Sequence, residues 1–416
     1  MQLIDWLEYI ESLHVEEIAL GLERVRSVAL QAGLLDFECP IVLVGGTNGK
    51  GSTVSTLSSL LAANTLRVGT YLSPHLINFN ERIRINGQCI QDDQLCEIFT
   101  KIEHCRLSDA NPSPLTFFEF TTLAALQFFK EADCDILLLE VGLGGRLDAV
   151  NIVEPSLSII TTLGLDHTDR LGDTLEKIAI EKAGIVRDNK PILIGQQACY
   201  PFLLNELKRQ GAILIQEGES FGWQGDTLWH YKGDIVTVPK HNIPVSSLSL
   251  ALAAFKLLAD SFPKLKIKAL PNLSVVLQQA ALPGRFQKYF NKIETIFDVA
   301  HNPQGAQWLS NKLKENTQKN IAVWSSFQDK DLKGIVEAIK SRIDIWVIAP
   351  VNHIRAASIE DLKQALKVQE IDSQCVFCES TVAQAYKKAC SLVGLEERII
   401  VFGSFLTVNE VILSLE

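Results

Sequence analysis

Three apolar runs constrain this chain more than anything else in it: residues 40–46 (PIVLVGG), 135–141 (DILLLEV) and 156–163 (SLSIITTL). Their centres are apolar at consecutive positions rather than at alternate ones. A strand of that kind has both faces buried, as in a parallel sheet covered by helices on each side. Residues 68–73 (VGTYLS) give another strand, and residues 50–64 fill one interval with a helix. The pattern changes at 221–238 (FGWQGDTLWHYKGDIVTV), where turn residues punctuate alternating segments and predict an antiparallel hairpin. A helix follows over about 246–260. LPGRF at 282–286 then breaks the chain, and a second β/α series begins, with strands expected at 294–300, 321–327, 344–350, 374–377 and 398–403. At 416 residues the chain exceeds one ordinary core. We therefore divide it into 1–283 and 284–416, the second part being about 130 residues, a comfortable domain size.

The segment after the first run, VGGTNGKGST at 44–53, sets the chemistry of the first part. The common phosphate-loop spacing G-x-x-x-x-G-K-[ST] does not fit it. Val44 stands where the first glycine belongs, and Gly51 where the hydroxyl belongs. The segment still lies between an apolar strand and a helix, so backbone N–H groups and the positive helix end face an anion. Lys50 would lie against the outer phosphates, and Ser52 or Thr53 would supply a hydroxyl. The alternative is a plain glycine turn. The fold class is thus α/β: a P-loop type, mostly parallel sheet ATPase domain, followed by a smaller Rossmann-like α/β domain.

Other strands also end in polar residues, which is where ligands collect in open α/β sheets. Glu140 closes LLLE and requires a cation if buried, either Mg²⁺ or the guanidinium of Arg146. His167 follows the 156–163 run; an isolated histidine is commonly a hydrogen-bonded or surface residue. Lys182 ends a helix, where a lysine ordinarily caps the dipole. In the second part Asp298 ends FDVAHNP, with His301 beside it. Asp298 could accept from a ribose and Arg285 could reach a phosphate; ordinary turn chemistry is the alternative.

Composition excludes several classes. A net charge of −10 argues against nucleic acid. No apolar run approaches the roughly 20 residues of a membrane helix, and MQLIDWLEYIE lacks the basic start of a signal peptide. Nine cysteines without an export signal point to free thiols in the cytoplasm. Cys375 and Cys378 form a lone C-x-x-C, read as a pair of buried strand thiols. No N-K-x-D motif supports a guanine-nucleotide switch.

Taken together, the motifs resemble the folylpolyglutamate synthase and dihydrofolate synthase family, within the Mur-ligase type of ATP-dependent amide ligases. They are GLERV (21–25), GTNGKGST (46–53), SPHL (73–76), TFFEF (116–120), LEVGLGGRLDAVNIV (139–153), LDHTDRLG (165–172), EKAGI (181–185), LPGRFQ (282–287), FDVAHNP (297–303), DKD (329–331) and GSF (403–405). The resemblance implies a bifunctional ligase that adds L-glutamate to dihydropteroate and to reduced folates through an acyl phosphate. The alternatives are a folylpolyglutamate synthase alone, another Mur-type ligase or a P-loop nucleotide switch. With only about 40 residues ahead of the loop strand, no separate nucleotide-sugar domain is expected.

Carried over residue by residue, the resemblance makes Gly49, Lys50, Gly51 and Ser52 the phosphate contacts of ATP. It makes Ser73, Glu140 and His167 ligands of Mg²⁺, two ions in all. Lys182 corresponds to a lysine carboxylated by CO₂, N6-carboxylysine, which turns a cation into an oxygen ligand for a hard metal. Lys50, Glu140, His167 and Lys182 would be the catalytic set. Arg285, Asp298 and Ser247 would touch the nucleotide. Glu17, Ile18, Ala19 and Leu20, with Thr116, Phe117, Phe118, Glu119, Leu147, Asp148 and Ala149, would hold the pteridine substrate. Two positions depart from the family: Ser247 replaces an asparagine, and Ala19 an aspartate common in bifunctional relatives. The expected partners are small molecules only, and the expected state a monomer.

Overall fold

The apolar runs become the inner strands of an eight-stranded sheet. Its members are β1 (Ile41–Gly45), β2 (Val68–Tyr71), β3 (Ile83–Ile85), β4 (Gln88–Cys89), β5 (Ile136–Glu140), β6 (Leu157–Ile160), β7 (Pro191–Ile194) and β8 (Ile213–Gln216). The order is β4-β3-β2-β5-β1-β6-β7-β8. From β2 to β8 all neighbours are parallel, and β3 and β4 form an antiparallel edge. Every residue of β1, β5 and β6 is buried, which is why these strands show no alternation. Register aligns their C-terminal ends: Val44 pairs with Glu140, and Gly45 with Ile160. The turn after β1, the carboxylate of Glu140 and the residues after β6 therefore leave one edge of one sheet.

The computed structural model describes all residues except 16–18, 109–110, 226, 231–234, 292, 315–317, 395–396 and 416. By compactness the chain divides into a larger unit, Met1–Leu165 with Leu171–Ala281, and a smaller one, Asp166–Arg170 with Leu282–Glu416. In the larger unit the helices Lys50–Ala62 and Val245–Ser261 pack on each other. The segment read as a hairpin holds three antiparallel strands, β9 (Phe221–Gln224), β10 (Thr227–His230) and β11 (Ile235–Thr237).

The smaller unit has β12 (Gln287–Asn291), β13 (Ile293–Asp298), β14 (Lys319–Trp324), β15 (Ile345–Ile348), β16 (Val376–Cys378) and β17 (Glu397–Phe402), in the order β12-β13-β17-β14-β15-β16. Five of them are parallel; β12 is an antiparallel edge that the sequence reading missed. Its residues QKYFN are mostly exposed, so no apolar run announces it. Trp324, Trp346 and Phe402 pack edge-to-face and stacked in the core of this unit. The reading of Cys375 and Cys378 as two buried strand thiols needs correction. Only Cys378 lies on a strand, Cys375 ends a short 3₁₀ turn, and both are free and half-buried.

Candidate active site

The loop after β1 is shaped by the segment that follows β6. Thr47 N–H donates to the Thr162 carbonyl and Asn48 N–H to Thr162 Oγ1, both at 2.9 Å. Thr161 Oγ1 donates to the Asn48 carbonyl at 2.7 Å, and Thr47 Oγ1 and Gly164 N–H meet at 3.0 Å. Gly49, at φ 85°, opens the helix Lys50–Ala62, and no side chain caps that helix. Its leading N–H groups are thus presented at a bare helix start, the arrangement that binds phosphate. Lys50 curls over the loop, Nζ donating to the carbonyls of Gly46 (3.1 Å) and Thr47 (3.2 Å). Ser247 comes to the same place, its Oγ donating to the Gly49 carbonyl at 3.3 Å. The polar pair Thr161–Thr162 carried the loop's register in the sequence without being singled out; two threonines ending an apolar strand were the available signal.

Gly46 shows how tight this is. Its φ is 143°, and a β-carbon there would meet Thr161 Oγ1 at 1.9 Å. Gly46→Ala is expected to lower stability by roughly 1–3 kcal/mol, the range for overpacking, and to abolish nucleotide binding. Thermal unfolding and nucleotide titration measure the two effects, and an alanine variant that binds ATP normally would contradict this picture of the loop.

Glu140 is 4% exposed, and its Oε2 accepts the Ser73 N–H at 3.1 Å. The alternative of neutralisation by Arg146 is corrected: Arg146 pairs with Glu181 at 2.7 Å and is 53% exposed. Lys182 is not a surface cap either. It is 3% exposed in the last turn of the helix Leu175–Ala183, whose end is closed by the Gly184 N–H on the Glu181 carbonyl.

The segments expected to hold the pteridine differ in what their side chains do. Glu17 and Ile18 lie outside the described residues. The Ala19 carbonyl accepts from Arg24 Nη2 at 2.8 Å, and Arg24 also pairs with Glu119 at 3.0 Å; Leu20 is exposed. Thr116 and Glu119 form the capping box of the helix Phe117–Glu131, Glu119 Oε2 accepting the Thr116 N–H at 2.7 Å. Phe117 faces Arg82, and Phe118 packs on Tyr71 with ring centres 5.7 Å apart. Asp148 is buried and accepts the N–H groups of Leu143 (2.7 Å) and Val150 (3.0 Å). Burial pushes its carboxyl up to about 6, against those backbone bonds and the charge of Lys50. Leu147 is half-buried and Ala149 buried.

In the smaller unit, Asp298 accepts the N–H groups of Phe286 (2.9 Å) and Ala300 (2.8 Å), so it organises its own turn. Burial raises its carboxyl, and the nearby Arg285 charge opposes that; Arg285 itself lies over the Phe405 ring. Asp166 gathers Lys330 Nζ (2.5 Å), Asn302 Nδ2 (3.1 Å) and His301 Nε2 (3.4 Å). Burial would raise its carboxyl, but the His301 bond and the charges of His301, Lys330 and His167 hold it well below the usual carboxylate range. It also accepts the N–H of His167, whose φ is 50° and whose ring stands 3.5 Å from Lys330 Nζ. Asp166 and Lys330 fell within motifs of the resemblance but received no role. Ser73, Glu140 and Lys182 thus belong to the larger unit and His167 to the smaller.

Among the described residues no three His, Cys, Asp or Glu side chains gather into a metal cage. A single buried carboxylate beside a phosphate-binding turn is nevertheless a donor set that suits Mg²⁺. That ion keeps several waters and takes one or two carboxylates together with phosphate oxygens.

Comparison with known proteins agrees with this geometry. Residues 44–247 match the Mur ligase middle domain, and residues 284–405 the Mur ligase glutamate ligase domain. The dihydrofolate synthase/folylpolyglutamate synthase of Escherichia coli (strain K12) is 38% identical, over 98% of this chain and 94% of its own length. The structure of E. coli FolC in complex with DHPP and ADP superposes with a TM-score of 0.89 at 36% identity, covering 100% of this chain and 98% of that one. A bifunctional folylpolyglutamate synthase/dihydrofolate synthase with Mn, AMPPNP and L-glutamate bound gives 0.88 at 37% identity, over the same shares. Fold, loop and matched domains define an ATP-dependent, amide-forming ligase of the Mur type. The chain belongs to the dihydrofolate synthase/folylpolyglutamate synthase family. Among the described residues no helix is long and apolar enough to cross a membrane.

Proposed function

We propose that this chain joins L-glutamate to dihydropteroate and to reduced folates, using ATP and a divalent metal. One observation carries the reading beyond family membership: Glu140 pairs in register with Val44, at the start of the phosphate loop. A buried carboxylate and a phosphate cradle on adjacent strands are what a metal-assisted phosphoryl transfer requires. A carboxylate oxygen of the pteroyl substrate attacks the γ-phosphorus of ATP, and the bond to the bridging oxygen breaks as ADP leaves. The amine of glutamate then attacks the acyl carbon; phosphate leaves and the nitrogen gives up its proton.

In this reading the N–H groups of Gly49, Gly51 and Ser52, with Lys50, hold the phosphates, and Ser247 keeps the Gly49 carbonyl turned away from them. Ser73, Glu140 and a carboxylated Lys182 in the larger unit, and His167 in the smaller, are assigned to Mg²⁺. Bound Mg²⁺ neutralises phosphate oxygens during transfer. Arg285 and Asp298 are assigned to the nucleotide in the smaller unit. The segments around Ala19–Leu20, 116–119 and 147–149 are assigned to the pteroyl group, and Glu17 and Ile18 remain with them. We keep the division 1–283 and 284–416 as the functional one. Free cysteines support a cytoplasmic setting, and a monomer remains the expected state.

A second reading, folylpolyglutamate synthesis alone, is favoured by Ala19. Phosphate release from ATP and glutamate, with dihydropteroate or a reduced folate added separately, decides between them. Release is expected with each. Release with the reduced folate alone establishes the second reading, and release with neither refutes both.

A further inference from the structure

Arg82 has no role in the scheme above, yet its surroundings fix it as a binding group would be fixed. It ends the 3₁₀ turn Phe79–Arg82, and its carbonyl accepts the Leu72 N–H at 2.9 Å. Its Cζ lies 5.6 Å from the ring centre of Phe79 and 5.5 Å from that of Phe117. Nε donates to Nδ1 of His75 at 2.8 Å, which requires that nitrogen to be bare. Two aromatic contacts and one hydrogen bond therefore hold the plane of the guanidinium. The fields of Glu140 and Glu81 reach it, and the Tyr71 hydroxyl stands beside it, but among the described residues it forms no ion pair with a carboxylate. Arg82 is half-buried, and a guanidinium partly withdrawn from water gains from an anion. With Nε engaged, its terminal amino groups form the edge that matches a carboxylate bidentately.

Register shows where Arg82 lies on the sheet. Tyr71 pairs with Ile83 on one side and Leu139 on the other, and Glu140 pairs with Val44. Arg82, Leu72, Glu140 and Val44 consequently form one row across the C-terminal edge of the sheet. Strands β2 and β5 separate Arg82 from the phosphate loop, roughly 10–15 Å at ordinary strand spacing. Arg82 is thus no part of the loop that cradles the phosphates. It suits an acyl group approaching them from the side, past Phe117.

We infer that Arg82 binds the carboxylate of the pteroyl substrate, the group that ATP activates. The inference rests on the substrate reading above. Its test compares 7,8-dihydropteroate with its carboxamide, binding each to the full-length enzyme with Mg²⁺ and a non-hydrolysable ATP analogue. Wild type is expected to prefer the acid by about tenfold to a hundredfold, the range for a charge-assisted pair. Arg82→Met is expected to lose that preference, and Arg82→Lys, a point charge without the fork, to fall between. A preference that survives in Arg82→Met overturns the assignment. Should that variant melt early, a wild-type preference in Arg82→Lys overturns it instead. A wild-type enzyme that binds neither compound refutes the substrate reading itself, and this inference with it.

Discussion

Lys50→Ala is expected to cut ATP-dependent phosphate release about a hundredfold to a thousandfold, the usual loss when one donor to a charged transition state is removed. The effect on folding should be small. Lys50 gives two hydrogen bonds to the loop carbonyls of Gly46 and Thr47, each worth about 1 kcal/mol net. The loop's other ties, through Thr161, Thr162, Gly164 and Ser247, do not involve the lysine. The thermal midpoint should therefore fall by only a few degrees while turnover collapses. Phosphate release and a melting curve on the same preparation separate the two quantities. Near-normal turnover in the alanine variant would remove the loop from the mechanism.

Lys182→Ala is expected to lose activity on a similar scale and to regain part of it with acetate or formate. Lys182 is 3% exposed, in the last turn of the helix Leu175–Ala183. Addition of CO₂ to the neutral amine releases a proton and leaves an anionic carbamate, whose oxygens suit a hard cation. A small carboxylate diffusing into the space left by alanine would replace those oxygens but not their attachment, so rescue should be partial and saturable. Lysine needed only for its charge would leave the variant deaf to carboxylates. Full turnover without any rescue would rule out a required carbamate.

What could be read beforehand follows from the range of the interactions. Runs such as PIVLVGG and DILLLEV identify buried parallel strands because burial on both faces acts on each residue locally. The phosphate turn was legible for the same reason, since strand, glycine, lysine and helix are contiguous. Lys182 was legible only through the family resemblance, because helix position alone suggests a cap and its burial is decided by tertiary packing. The Asp166 cluster was hidden still more deeply, its bonds spanning 136 residues to Asn302 and 164 to Lys330. Thr116 and Glu119 were legible in another sense: T-x-x-E is a helix start, and the structure uses both side chains there. The edge strand β12 escaped because a strand largely open to solvent needs no apolar run.

The bonds between the phosphate loop and the threonines after β6 bear on when conformational entropy is lost. Thr47, Asn48 and Gly49 are held by the backbone and hydroxyls of Thr161, Thr162 and Ser247, through bonds made wholly within the protein. Their ordering belongs to the folding of the larger unit, so it is charged against stability rather than against nucleotide affinity. Substitutions at Thr161 or Thr162 then weaken ATP by returning that disorder to the unliganded protein, although neither residue needs to touch a phosphate.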